Sequence, residues 1–470
     1  MSPRLSFVAA VVTLLAVGHE ARAEGPEPPA SLRVGDALVV PEIDVRVRGE
    51  LRAFRPDFEM VPPPDVHWTL LPRVRLGVAV ERDALRAKVT VQDARIFGNG
   101  LSPASPRAGE PAPFGPYEAF LEARTSSARP SFVRLGRQAV EWGEGRLLGV
   151  ADFSPRGRSL DALRARLTLG DLELEALAAL LVVPETVRMD AVDVSYAGSQ
   201  LAGVRAGYMF HRLLGVELFG FARFSDLRRR DVYGLPTSLA ERARADSGLW
   251  TSSLRVAGHD DAWSYGFEGA VQGGKSAGSN LLAEAVVGHV ERKIRQIVWA
   301  PSLGISAAYA SGGRNEDGTQ RTFDPLLPDT QRWHGRFDLF GLSNIIDFGG
   351  SLELTPATDF KAQLGYRYAR LAAAPSEWID AYGEPVRAVT RRGLVPLGHE
   401  ASVGLSYEPL PGLTFSAAYA ALFVLSAARG SFRPRSFYSD SDVRAVATDT
   451  PPDPWELSHY AFVETRLKLP

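Results

Sequence analysis

Arginine recurs at every second position in several short stretches of the chain. Arg46, Arg48 and Arg52 fall in "DVRVRGELRA", Arg73 and Arg75 in "RVRLGVAV", and Arg164 and Arg166 in "LRARLTLG". A guanidinium stays charged, and its planar fork donates paired hydrogen bonds to a carboxylate, so a series of arginines is suited to holding anions. Successive side chains of an extended chain point to opposite faces. Arg46, Arg48 and Arg52 therefore share one face with Asp44 and Glu50, and Val45, Val47, Gly49, Leu51 and Ala53 share the other. The same parity puts Arg86, Arg134, Arg367 and Arg466 on a charged face. Arg137, in Gly136-Arg137-Gln138, joins them only if its strand ends or bulges there, because strict alternation from Val133 and Leu135 points it to the apolar side. The charged face also collects Asp44, Glu50, Glu81, Glu118, Glu122, Glu353, Glu400 and Glu464. The arginines can thus line a path for an acidic solute, or pair with these acids in ladders that hold strands in register, and the two uses compete at every position.

Other chemistry is thinly represented. "GAVQGGKS", residues 269–276, satisfies the spelling of a phosphate-binding loop, and "GKSAG" that of a nucleophile elbow. Either motif needs a strand before it and a helix after it, whereas these flanks alternate as strands do. Eight histidines show no His-Glu-x-x-His spacing, and Asn315-Glu316-Asp317-Gly318 reads as a solvated turn before it reads as a cation loop. The chain has no cysteine, which excludes disulfides, thiolate metal sites and a lipid-modified cysteine. No catalytic set, metal or cofactor is expected.

The elements that must position the arginines are strands. "RVRLGVAV" and "LRAKVTVQ" are two alternating runs joined by "ERD", a hairpin, and "GHEASVGLSYEP" and "AFVETRLKLP" alternate in the same way near the end. Connections are of two kinds, tight turns and long polar excursions at 98–116, 226–249, 311–335 and 426–456, as when one rim of a barrel carries turns and the other loops. Trp68, Trp263, Trp299, Tyr366 and Tyr368 fall near segment ends, where interfacial girdles lie. Residues 1–23 read as a signal peptide, with Arg4, an apolar stretch from Phe7 to Val17 and Ala21-Arg22-Ala23, and 24–41 as a Pro-rich lead-in. Without the leader the net charge is about −3, so bulk charge suggests no nucleic-acid partner. No later run approaches the ~18 apolar residues of a spanning helix. An exported chain of alternating strands is expected to close as a single antiparallel transmembrane barrel over residues 42–470, in the outer membrane. In that barrel the apolar face of residues 45–53 meets lipid, and the reverse orientation would cost roughly 2–4 kcal/mol for each arginine near the midplane.

The stretch "VRLGRQAVEWGEGRLLGVADFSPRGRSLDALRARL", residues 133–167, resembles the alginate export family of outer-membrane channels, through Gly136-Arg137-Gln138, Trp142-Gly143, Arg146-Leu147-Leu148-Gly149 and Asp161-Ala162. "YASGGRNEDGTQRTFDPLLPDTQRWHGRFDLFGLSNI" and Gly398-His399-Glu400 extend the likeness through most of the chain, with Ser311-Gly312-Gly313 standing where the family has Ser-Gly-Asp. The resemblance implies a barrel of about 18 strands, the outer-membrane assembly machinery as a partner, and passage of an anionic polysaccharide or, in relatives, smaller solutes. The pore-lining arginines are then expected to be Arg46, Arg48, Arg52, Arg73, Arg75, Arg134, Arg137, Arg164, Arg166, Arg367 and Arg466. An uptake porin for small solutes, narrowed by a loop folded into the lumen, is the alternative within transport. A plugged barrel acting as an enzyme on lipids, or as a purely structural element, is the alternative outside it.

Overall fold

The computed structural model describes residues 31–53, 66–98, 112–181, 186–189, 192–195, 199–225, 247–276, 279–381, 385–389, 392–425 and 457–469. The expected signal peptide, the first part of the lead-in and most of the excursions at 98–116, 226–249 and 426–456 lie outside them.

The alternating segments form eighteen strands, each antiparallel to its neighbours. In chain order the strands of the ring are Ala37–Ala53, Val66–Arg82, Leu85–Ala94, Ala112–Arg124, Phe132–Gln138, Leu160–Leu169, Leu172–Leu180, Ser199–His211, Leu214–Ser225, Ser247–His259, Trp263–Ser276, Ser279–Lys293, Ser302–Ala310, Ile345–Ala357, Phe360–Leu371, Pro396–Leu410, Leu413–Val424 and Leu457–Leu469. The sheet closes where the first strand pairs with both the second and the last, Arg46 lying opposite Arg73 on one side and Arg466 on the other. Closure leaves no sheet edge, as the hydrocarbon interior requires. The first strand begins at Ala37, within the segment read as a lead-in, and Leu32–Val34 folds back on it as a short hairpin. The stretch spelled like a phosphate-binding loop is the second half of the strand Trp263–Ser276, with no helix after it.

The alternation decides what each face meets. Leu51, Leu76, Leu121, Leu163, Val286, Ile305 and Val463 stand exposed on the outer face, as a lipid-facing wall requires. The inner face carries the buried polar and charged residues, among them Asp44, Arg46, Arg48, Glu50, Arg73, Gln92, Glu175 and Gln272. Connections at the periplasmic rim are mostly tight, such as Asp83-Ala84, Gly170-Asp171 and Pro411-Gly412, and those at the opposite rim are mostly long. The exception at the long-loop rim is the pair Trp263–Ser276 and Ser279–Lys293, strands only two residues apart in sequence.

Two of the long connections turn inward. Residues 139–159 and 311–344 enter the barrel, and with the wall and with Trp378 of the connection after Phe360–Leu371 they build an apolar core that includes Trp142, Leu148, Phe219, Phe221, Phe323, Phe340 and Tyr460. The stretch expected as a polar excursion at 311–335 is therefore largely an interior segment: Phe323 and Leu326 are buried. The two segments are tied through backbone hydrogen bonds from Gly149 N to Leu327 O (2.8 Å), Leu327 N to Leu147 O (3.0 Å) and Asp329 N to Gly145 O (2.7 Å). The Arg158 guanidinium adds bonds to Gly149 O, Leu327 O and Pro328 O at 2.8, 2.6 and 3.0 Å. An irregular backbone at membrane depth is tolerated only when its polar groups find partners of this kind.

Candidate functional site: an arginine cluster under an inserted loop

The pairing register puts three arginines side by side across the closing seam, Arg466, Arg46 and Arg73, with Arg75 opposite Asp44 one step along. Like charges directly opposite one another destabilise a sheet. Two carboxylates offset the repulsion here. Asp44, from the wall, accepts from Arg466 at 2.9 and 2.7 Å and from Arg73 at 3.3 Å. Asp152, from the inserted segment 139–159, lies 3.1 Å from Arg73, 2.8 Å from Arg75 and 2.9 Å from Arg466. The same segment also presents carbonyls: Asp152 O accepts from Arg46 (2.5 Å) and Arg73 (3.0 Å), Ser154 O from Arg46 (2.8 Å) and Arg156 O from Arg75 (2.9 Å). Burial pushes the Asp152 carboxyl up, but Arg73, Arg75, Arg466 and Arg46 outweigh it and hold the group well below the usual carboxylate range.

Arg48 and Arg52 continue the cluster on the first strand. Arg48 lies 2.9 Å from Glu50 and 3.3 Å from Glu464, under the Phe153 ring. Arg52 donates to Phe337 O at 3.3 Å and faces the Tyr460 ring. Among the described residues, these six arginines pair with four carboxylates, Asp44, Glu50, Asp152 and Glu464, fewer than the guanidinium groups they serve.

The remaining arginines expected to line the pore fall in three places. Arg164 and Arg166 share one carboxylate, Glu175, at 2.7 and 2.9 Å, and Glu175 also accepts from the Trp142 indole of the inserted segment. Arg134 is beside them on the wall, bound to Glu122 at 2.7 Å. Arg367 is on the opposite side of the barrel and pairs with Asp347, which also holds His334 at 2.9 Å. Arg137 faces the same side as the exposed Leu135 and Leu163, in a bidentate pair with Asp161 at 2.8 and 2.6 Å. Its strand does end at Gln138, next to a Gly136 whose φ is +127°, yet the arginine keeps the outward parity and is apart from the lumen cluster.

Space remains in the lumen around Arg367. A cavity of about 440 Å³ is bounded on the wall by Gly304, Ser306, Gly349, Ser351, Gly365 and Ser402, and on the inner side by Arg146, Trp333, His334 and Arg336. Small side chains on the strands make the space, and the loops supply the charge. Arg146 stacks on Trp333 at 3.8 Å, and Arg336 donates to Gln363 at 2.7 Å while its backbone N–H holds Glu400 at 2.6 Å. Burial pushes the His334 imidazole below its ordinary value, against the opposing pull of Asp347, so that the neutral ring is favoured. Asp152, Trp333 and Arg336 were not singled out from the sequence, and Arg146 only as part of the motif that carries the family resemblance, because a connection has no periodicity to read. The Arg-Trp-His-Gly-Arg run at 332–336 was the available signal: two cations around an aromatic between strands.

The alginate export family model matches residues 42–425. Comparison of the sequence with curated proteins finds no match. Among solved structures, OccK9 (OpdG) of Pseudomonas aeruginosa is 12% identical, with a TM-score of 0.54 over 91% of this chain and 98% of that one. OccD3 (OpdP) of the same organism is 11% identical, TM-score 0.53, over 91% of each chain. Pseudomonas aeruginosa OpdK with vanillate is 14% identical, TM-score 0.50, over 91% of this chain and 98% of that one. At these identities the structures share the barrel fold, and the family match covers most of the chain. The closed 18-strand barrel together with the family match makes this an outer-membrane channel, and the chain belongs to the alginate export family.

Proposed function

We propose that this channel passes acidic saccharides, with the arginines of the lumen as their carboxylate partners. The observation that carries the reading is the excess of arginine over carboxylate in the seam cluster, where part of the counter-charge, Asp152, comes from a loop and not from the wall. A polyanion entering a narrow lumen loses hydration, and guanidinium groups in series replace it without a single deep well. The cavity between the wall and residues 331–336 brings Arg146, Arg336 and Arg367 around a second space in the lumen, where an acidic group would find further guanidinium partners. A second reading, a selective porin for small acidic solutes, is favoured by how much of the lumen residues 139–159 and 311–344 fill, and by the vanillate named with the OpdK structure.

The test is electrical. The chain is refolded into a planar bilayer and its reversal potential measured across a potassium chloride gradient, before and after a short oligouronate is added to one side. Anion selectivity with current block by the oligouronate, weakened in Arg336→Gln, is expected for the saccharide path. Anion selectivity without block, together with free permeation of monomeric acids, supports the small-solute porin. Cation selectivity overturns both.

A further inference from the structure

The connection Ile294–Pro301 differs from its neighbours on the same rim. Most of the other described periplasmic connections end in polar or small residues, such as Asp83-Ala84, Ser126-Ser127, Gly170-Asp171, Asp260-Asp261 and Thr358-Asp359, and Arg212-Leu213 carries a single, half-buried leucine. This one presents three large apolar side chains in succession, Ile297, Val298 and Trp299, at 54, 77 and 53% exposure. Its backbone is fixed. Ile294 N bonds to Pro301 O at 2.8 Å and Ala300 N to Ile297 O at 3.0 Å, while Trp299 and Ala300 take left-handed φ values of +68° and +42°. Bulky residues adopt that conformation rarely and at a cost, so the turn is held in its shape by its surroundings. The bond from Thr355 N to Trp299 O, 2.7 Å, sets the turn against the strand Ile345–Ala357, two residues in from that strand's end at Ala357. The backbone at Trp299 is thus tied to the end of the barrel wall.

Cations surround the tip. Arg292 lies over the exposed Trp263 ring at 5.0 Å, Lys293 ends the preceding strand, and Arg295 is 3.4 Å from Asp261 with both side chains largely in solvent. Apolar and indole side chains framed by Lys and Arg match the border of a phospholipid leaflet, where rings sit at headgroup depth and cations meet phosphate. We propose that Ile294–Pro301 is a membrane anchor that lays Ile297, Val298 and Trp299 into the periplasmic leaflet, with Arg292, Lys293 and Arg295 on lipid phosphates.

Because the chain has no cysteine, one engineered thiol reports on one site. A nitroxide is attached to Val298→Cys, and separately to Asp83→Cys on a polar turn of the same rim, in the full barrel reconstituted in phosphatidylethanolamine–phosphatidylglycerol vesicles. Collision rates with oxygen, which concentrates in lipid, and with a polar nickel complex are then compared. The anchor predicts that position 298 favours oxygen while position 83 favours nickel. Equal nickel access at both positions would overturn it and leave an apolar tip in the periplasm, open to a protein partner. Protection of position 298 from both reagents would overturn it too, placing the tip against another polypeptide.

Discussion

Asp152 is the residue through which the inserted loop and the wall depend on each other. Without its carboxylate, Arg46, Arg73, Arg75 and Arg466 would share only Asp44 and the nearby Glu464. Replacing Asp152 by Asn keeps the volume and removes the charge. The expected loss is about 2 kcal/mol, between an exposed and a fully buried ion pair because Asp152 itself is only partly buried, with the loop as the part most easily released. Single-channel recording should therefore show Asp152→Asn with a larger conductance than the parent, and an unchanged conductance would refute the latch. The pH dependence has a definite sign. A carboxyl whose folded pKa is depressed contributes stability at every pH above its unfolded value, near 3.9, and loses it only as pH falls through the folded value. With Asp152 held well below the carboxylate range, the latch persists from pH 7 down to about 4, so conductance carried through this part of the lumen should stay flat over that window. A rise in conductance between pH 6 and 4 in the parent, absent in Asp152→Asn, would show an ordinary carboxyl instead.

Strand ends impose a different constraint from strand middles. Gly136, with φ +127°, passes so close to the neighbouring strand that an added Cβ would sit 2.2 Å from Ala119 O, and Gly274 makes the same approach, 2.2 Å from Gly248 O. Both contacts are to backbone, which cannot swing aside. Gly136→Ala should therefore destabilise the barrel by about 1–3 kcal/mol, as overpacking does, while Gly49→Ala, with nothing within 4 Å of the added carbon, should be near neutral. Urea midpoints of the refolded barrels, read by heat-modifiable mobility, check the pair, and equal midpoints would refute the argument. Legibility follows the same division. In "DVRVRGELRA" and "GHEASVGLSYEP" the period of two set which residues face lipid, because a slip of one residue would move every arginine to the wrong side. The resemblance in residues 133–167 supplied the strand number that periodicity leaves open. Period two also put Arg137 outward, and its pairing with Asp161 keeps it there in spite of the strand end. The inward course of 139–159 and 311–344 was not readable, since it is held by Arg158, Asp152 and backbone-to-backbone bonds between segments nearly 170 residues apart.

At the scale of the whole molecule, the two inserted segments form one body held to the wall at separate places. One side is latched to the seam through Asp152, and the other is held by the pairing of Arg223 with Asp324 and by Gln272, whose amide accepts from Asp324 N at 2.9 Å. Between them run the Gly149–Leu327 and Asp329–Gly145 bonds and the Arg158 fan. A body tied in this way moves as a unit, because releasing one segment alone would strand several buried backbone groups without partners, each at roughly 1–3 kcal/mol. Opening events should accordingly take the lumen from one conductance to another in a single step. Arg158→Ala removes the fan while leaving the seam cluster and the cavity lining in place. Its single-channel traces should gain intermediate levels, as the segments come to move separately, and its combination with Asp152→Asn should depart from additivity in the fraction of time spent open. If Arg158→Ala still opens in one step, and the double variant is additive, the segments are independent and the wall alone positions each of them.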